Sequence, residues 1–212
     1  METVSRRSVI GIAAGAIASG VLAGEVALPV DSPEKKQKPE PNGAASTKPE
    51  SVYKFRLGNA PARRYGESSI REHKLHDFPM SASMAAGLIT LAAGNVREPH
   101  WHPNSDEWLF VMAGDIRMTI VNGKGEASQF ECGPEDVAFT PQGFGHYVEN
   151  IGDSEAKLML VHNHAEFTTV NLSEWVAAGS TGVFASTLKM PLQAFDDVPE
   201  KRVFIGPKSA KE

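Results

Sequence analysis

The sequence predicts an all-β domain, a barrel or sandwich, with short helices toward its C-terminal end. Three observations carry this expectation. Short runs of aliphatic, aromatic and β-branched residues recur after about residue 80, each stopped by Gly, Pro, Asn or Asp. The runs are close together, as in sheets wrapped around one core. Beyond Asn171 the pattern changes to one that suits brief helices.

Taken in order, Ser83–Leu91 mixes Met, Leu, Ile and Thr and stops at Gly94-Asn95. His100 and His102 stand two apart, the spacing that places two side chains on one face of a strand. Pro103 and Asn104 then suit a bend before the run Trp108–Met112, which ends at Gly114-Asp115. Ile116–Val121 alternates and meets Asn122-Gly123, a type I′ hairpin signal. Val137–Thr140 stops at Pro141, His146–Glu149 stops at Asn150, and Lys157–His164 forms a further strand. Ser173 is the expected N-cap of a helix through Trp175, and Gly182–Leu188 is a second helix halted before Pro191.

The 212 residues leave room for one good domain plus extensions. A formal charge of −5, with no basic stripe, argues against nucleic acid as a partner. Cys132 is the only cysteine, so no intrachain disulfide can form; it is expected to be a small buried hydrophobe. Ser5-Arg6-Arg7-Ser8 before an apolar Gly/Ala-rich run to Gly24 resembles a twin-arginine export signal. Cleavage after Val21-Leu22-Ala23 or near Ala27 would leave a periplasmic or secreted protein without stable membrane insertion. An uncleaved signal would instead be a membrane anchor. The expected organisation is a signal at 1–27, a Pro/Lys/Glu-rich linker at 28–50, the β domain at 51–175 and a helical extension at 176–212.

The bend at Pro103-Asn104 lets Glu107 begin the next strand facing back toward His100 and His102. His146, after the turn-rich Pro141-Gln-Gly143, is a fourth candidate. Three imidazoles and one carboxylate with open positions suit Mn²⁺ or Fe²⁺ and fit Zn²⁺ less closely.

Gly94-x5-His100-x-His102-x4-Glu107-x6-Gly114 resembles the first cupin motif, and Pro141-x-Gly143-x2-His146-x3-Asn150 resembles the second. Glu135 stands where the second motif normally opens with glycine. The stretches "REPHWHPNSDEW", "IRMTIV", "GHYVEN" and "VNLSEWVA" are similar to the cupin domains of oxalate decarboxylases, within a likeness that covers about residues 53–205. The resemblance implies a double-stranded β-helix, or jelly roll, and a manganese-dependent conversion of oxalate to formate and CO₂, with O₂ as co-catalyst. It also implies His100, His102, Glu107 and His146 as metal ligands and Arg97 as the partner of a substrate carboxylate. Glu166, nine residues before Trp175, matches the lid glutamate of those enzymes and becomes the candidate proton donor. The germin activity, oxalate oxidase, and a non-catalytic binder of a dicarboxylate or metal are the alternatives. A single unit of this kind is expected to form a homo-oligomer, because exposed edge strands need cover.

His162 and His164 share a strand face by spacing and are expected to pack or hydrogen-bond near the barrel mouth. Trp101, Trp108 and Phe110 are expected as core or pocket wall, and Asn150 as the holder of a turn. His73 and His76 have no supporting context.

Overall fold

The computed structural model describes residues 51–199 and 202–208; the expected signal and linker lie outside the described residues. Twelve strands and two α-helices are present among them. The strands are β1 (Arg63–Tyr65), β2 (Ser68–His73), β3 (Ala85–Leu91), β4 (Asn95–Trp101), β5 (Glu107–Ala113) and β6 (Ile116–Val121). They continue with β7 (Ala127–Cys132), β8 (Val137–Thr140), β9 (Gly145–Asn150), β10 (Ala156–His162) and β11 (Val170–Asn171). Then come α1 (Leu172–Ala178), α2 (Thr181–Leu188) and β12 (Ile205–Pro207).

One sheet runs β1-β2-β3-β10-β5-β8 and the other β11-β4-β9-β6-β7, with β12 also paired to β4. Every pairing is antiparallel. This is the mostly-β architecture with two short C-terminal helices that the sequence predicts. The alternation is visible in β3 and β10, where every second residue is buried. Of those inward residues, Ile89, Leu91, Ala156, Leu158 and Leu160 join Leu109, Val111, Ile116, Met118 and Val148 in one apolar core. A fully buried Leu or Val of this kind stabilises the fold by about 1.5–3 kcal/mol.

The edges of the core carry the local differences from expectation. Val121 pairs with Ala127, so the hairpin at Asn122 holds five residues, not two. Asn122 Oδ1 accepts hydrogen bonds from Lys124 N and Glu126 N, and Gly125, not Gly123, takes the positive φ of +81°. The Asn side chain therefore organises a longer turn. Helix α1 begins at Leu172, with Asn171 and not Ser173 at the cap position. The Ser173 N–H is met by Glu98 Oε2 at 3.2 Å, while Ser173 Oγ accepts from Val203 N. A buried carboxylate on β4 thus serves the first turn of α1. The segment beyond residue 176 is not all helical, since Ile205 pairs with Arg97 and extends the second sheet.

Trp108 differs from its expected place. It is 39% exposed on the outer face of the first sheet, because the inward positions of β5 belong to Glu107, Leu109 and Val111. Trp101 packs edge-on against Trp175 of α1, with ring centroids 5.7 Å apart. Asn150 holds its turn as expected, donating to Leu91 O and Ser154 O and accepting from Gly152 N. Cys132 is free and buried. None of the described helices is long and apolar enough to cross a membrane.

Candidate metal centre

Two sheets supply the donors. His100 on β4 lies opposite His146 on β9, and Glu107 opens β5. His102 sits just beyond β4, before a turn at Pro103-Asn104. The bend expected from those two residues is what returns Glu107 to the histidines. One ligand-type atom from each of His100, His102, Glu107 and His146 lies within 4.8 Å of the others, and all four residues are buried.

The imidazoles are oriented from behind. Nδ1 of His100 faces Glu98 O at 2.7 Å, that of His102 faces Thr168 O at 2.9 Å, and that of His146 faces Phe144 O at 3.1 Å. A carbonyl takes the Nδ1 hydrogen, so each Nε2 is left with its lone pair directed inward. His102 Nε2 is 3.0 Å and His146 Nε2 3.6 Å from the Glu107 carboxylate.

Burial alone would raise the Glu107 carboxyl, but the neighbouring His146 and His102 hold it well below the usual carboxylate range. Burial, reinforced by Arg97 and His146, pushes His100 well below the ordinary imidazole value. The donor set at neutral pH is therefore an ionised carboxylate beside a neutral His100. His146 Nε2 is buried with no hydrogen-bond partner. An orphaned lone pair of this kind costs about 1–3 kcal/mol unless something fills the gap. A divalent cation fits: it would satisfy that nitrogen and the carboxylate together.

Arg97 also faces inward. Its three-residue offset from His100 would oppose the two in a regular strand, but the β4–β9 register shifts between Arg97 and His100. The irregularity returns Arg97 to the interior, where it is 3% exposed. Nη1 donates to Asn171 Oδ1 at 2.9 Å and to Phe204 O at 3.2 Å, and the guanidinium lies 3.7 Å from the Phe204 ring centre. Burial lowers it to about 10, with Glu107 and Glu98 opposing, so it stays cationic at neutral pH.

Glu166 is placed differently. Its side chain is exposed, and Oε1 accepts from Leu75 N at 3.1 Å. The next residue, Phe167, turns inward instead and is 4% exposed. His164 is exposed and accepts from Glu166 N. His162 is 2% exposed, with Nε2 3.8 Å from Glu107 Oε2. Sequence reasoning placed His162 only near the barrel mouth; the signal for more was its register, directly opposite Glu107. His73 packs with Phe55 and Phe78, away from the four donors.

Comparison with known proteins agrees with this geometry. The family model for cupins matches residues 59–190. The chain belongs to the cupin family. Among curated cupin relatives, a probable oxalate decarboxylase of Arthroderma benhamiae is 30% identical over 158 residues, covering 73% of this chain and 39% of that protein. Oxalate decarboxylase OxdC of Bacillus subtilis is 38% identical over 101 residues, covering 48% of this chain and 26% of that one. Germin-like protein 5-1 of Oryza sativa is 26% identical, covering 53% of this chain and 51% of its own. The Bacillus subtilis oxalate decarboxylase structure at pH 4.6 superposes with a TM-score of 0.68 at 26% identity, over 73% of this chain and 41% of that chain. The present cupin thus spans about two fifths of the length of the fungal relative.

Proposed function

We propose that this cupin is a manganese-dependent, oxalate decarboxylase-like enzyme. The observation that carries the reading is the convergence of His100, His102, Glu107 and His146 on one point, with the cationic Arg97 facing the same interior. The relatives named above supply the substrate class. The balance is oxalate dianion plus one proton giving CO₂ and formate: the C–C bond breaks, and a C–H bond forms on the remaining carbon. A bound divalent ion would supply Lewis acidity and, with O₂, the redox chemistry that weakens the C–C bond.

The chain's own residues have separate tasks in this reading. Arg97 pairs with a carboxylate of the substrate. Its Nη1 bonds to Asn171 and Phe204 hold one end of the fork and leave other N–H donors for the ligand. His100, His102 and His146 keep Nε2 lone pairs aimed inward through their Nδ1 contacts. Phe167 and the buried wall exclude water. Glu166 is the proposed acid, and delivering a proton requires its carboxylate to leave Leu75 N.

That outward carboxylate favours a second reading. Without an acid at the substrate, the same centre would act as an oxalate oxidase: oxalate, O₂ and two protons giving two CO₂ and H₂O₂. A binder of small dicarboxylates would show neither product. Incubating the Mn-loaded protein with oxalate and measuring formate, peroxide and CO₂ separates the three. Formate is expected; peroxide without formate rejects the decarboxylase, and tight binding without turnover rejects both enzymes. Glu166→Gln is expected to suppress formate at least about tenfold; unchanged formate release removes its acid role. Export through the twin-arginine signal belongs to the same proposal, and finding the protein in the cytoplasmic fraction alone would reject it.

A further inference from the structure

A fourth imidazole reaches the cavity of the four donors. His162 closes β10 in direct register with Glu107. Its ring lies flat against Phe167, with centroids 3.7 Å apart and planes 12° apart, and stands edge-on to His102 at 4.6 Å. These contacts fix the plane of the ring. Behind it, Nδ1 faces Ser105 Oγ at 3.4 Å. The Ser105 hydroxyl has its own acceptors, Asp106 O at 2.6 Å and Asn163 Oδ1 at 3.1 Å, so its oxygen faces Nδ1 as an acceptor. Nδ1 therefore carries the hydrogen, and Nε2 presents a lone pair.

That lone pair faces Glu107 Oε2 across 3.8 Å, beyond hydrogen-bond range. Two acceptors opposed across the cavity call for a donor between or beside them. A cation drawn by Glu107 answers the carboxylate. Nε2 of His162 remains an acceptor on the cavity wall. A fully ionised dicarboxylate has no hydrogen to offer it, whereas an O–H next to the bound carboxylate would satisfy it.

We infer that His162 is a specificity-determining residue, selecting a small carboxylate that brings an adjacent O–H, as a 2-hydroxy acid or a half-protonated dicarboxylate does. This rests on the reading that a small carboxylate binds at this centre. The matched group is discriminated because its loss leaves a buried acceptor unpaired.

The test is calorimetry on the Mn-loaded full-length protein with glycolate, acetate and oxalate, beside Mn²⁺ titration of the metal-free protein. His162→Phe is expected to weaken glycolate roughly tenfold, with acetate changed less than about twofold and Mn²⁺ affinity within about threefold. His162→Gln, whose amide oxygen can accept, is expected to recover part of the glycolate loss, and it carries the test if the Phe variant does not fold. Oxalate that binds more tightly at pH 5 than at pH 7, loses that preference in His162→Phe and keeps part of it in His162→Gln, assigns the half-protonated dicarboxylate. Glycolate discrimination alone assigns the hydroxy acid. Glycolate and acetate weakened equally, or neither weakened, overturns the role of His162 while oxalate turnover leaves the proposed function standing. Wild-type protein that binds none of the three carboxylates overturns both.

Discussion

At the residue scale, His146 separates function from stability. Its Nε2 is buried and unpartnered, so the ring costs the metal-free protein something that a cation would repay. His146→Leu is expected to change the metal-free unfolding free energy by no more than about 1 kcal/mol. The same change should abolish tight Mn²⁺ binding, as measured by titration calorimetry. A variant that keeps wild-type Mn²⁺ affinity would remove His146 from the donor set. The neutral histidines also set a pH dependence. Burial lowers His162 to about 4, opposed by Glu107, and pushes His100 down as well. The unfolded chain then binds more protons than the folded one. The stability these two groups contribute is full above about pH 6.5 and is lost as pH falls toward and through about 4. The melting temperature of the metal-free protein should fall across that window, and His162→Phe should flatten part of the fall. A midpoint independent of pH there would contradict the neutral assignment.

At the scale of elements, the turn before β8 holds a residue at odds with its backbone. Glu135 has φ +75°, while Gly133 two residues earlier has no positive φ. Its backbone N–H donates to Val111 O, which locks the conformation in place. Glu135→Gly is expected to raise stability by about 1 kcal/mol, read as a higher melting temperature. By contrast, Gly114 at φ +80° would place a Cβ 2.7 Å from Ala156 Cα, so Gly114→Ala should destabilise the β5–β6 corner. Both positions were marked in the sequence by motif spacing. Strand β6 was legible because apolar residues alternate within it, and β5, β8, β9 and β10 because short apolar or β-branched runs end at Gly, Pro, Asn or Asp. β2 was not, since Ile70 is the only large aliphatic residue in SSIREH. β7 is mostly exposed and polar, and β11 and β12 exist through pairing with a distant β4. The four donors were readable from spacing. The inward turn of Arg97 was not, because a register shift decides it, and no local pattern announces such a shift.

At the scale of the whole molecule, the expected homo-oligomer has a natural seat. Trp108, Met112, Val137 and Phe139 are 39–54% exposed on neighbouring strands of one sheet face. Trp108 pairs with Phe139, and Phe110 with Val137, so the apolar surface is continuous across β5 and the edge strand β8. Among the described residues, the outward positions of β5 and β8 carry no charge, which lets one copy of the face meet another by two-fold symmetry. A stable pair buries roughly 800 Å² on each partner, more than these side chains alone supply, so the β8 edge would have to join the contact. Light scattering should give a multiple of the 22.8 kDa chain mass. Trp108→Lys with Phe139→Lys should return it to the single-chain value with Mn²⁺ binding intact. A wild-type mass of one chain would reject the expectation. The carbonyl of Thr168 has the last consequence. It anchors His102 from a connecting segment that also presents Phe167 to the cavity. Grip on the ion and the resting place of that segment are then two readings of one equilibrium: tighter cations should quiet the loop, and anything that prises the loop away should loosen the cation by the same factor.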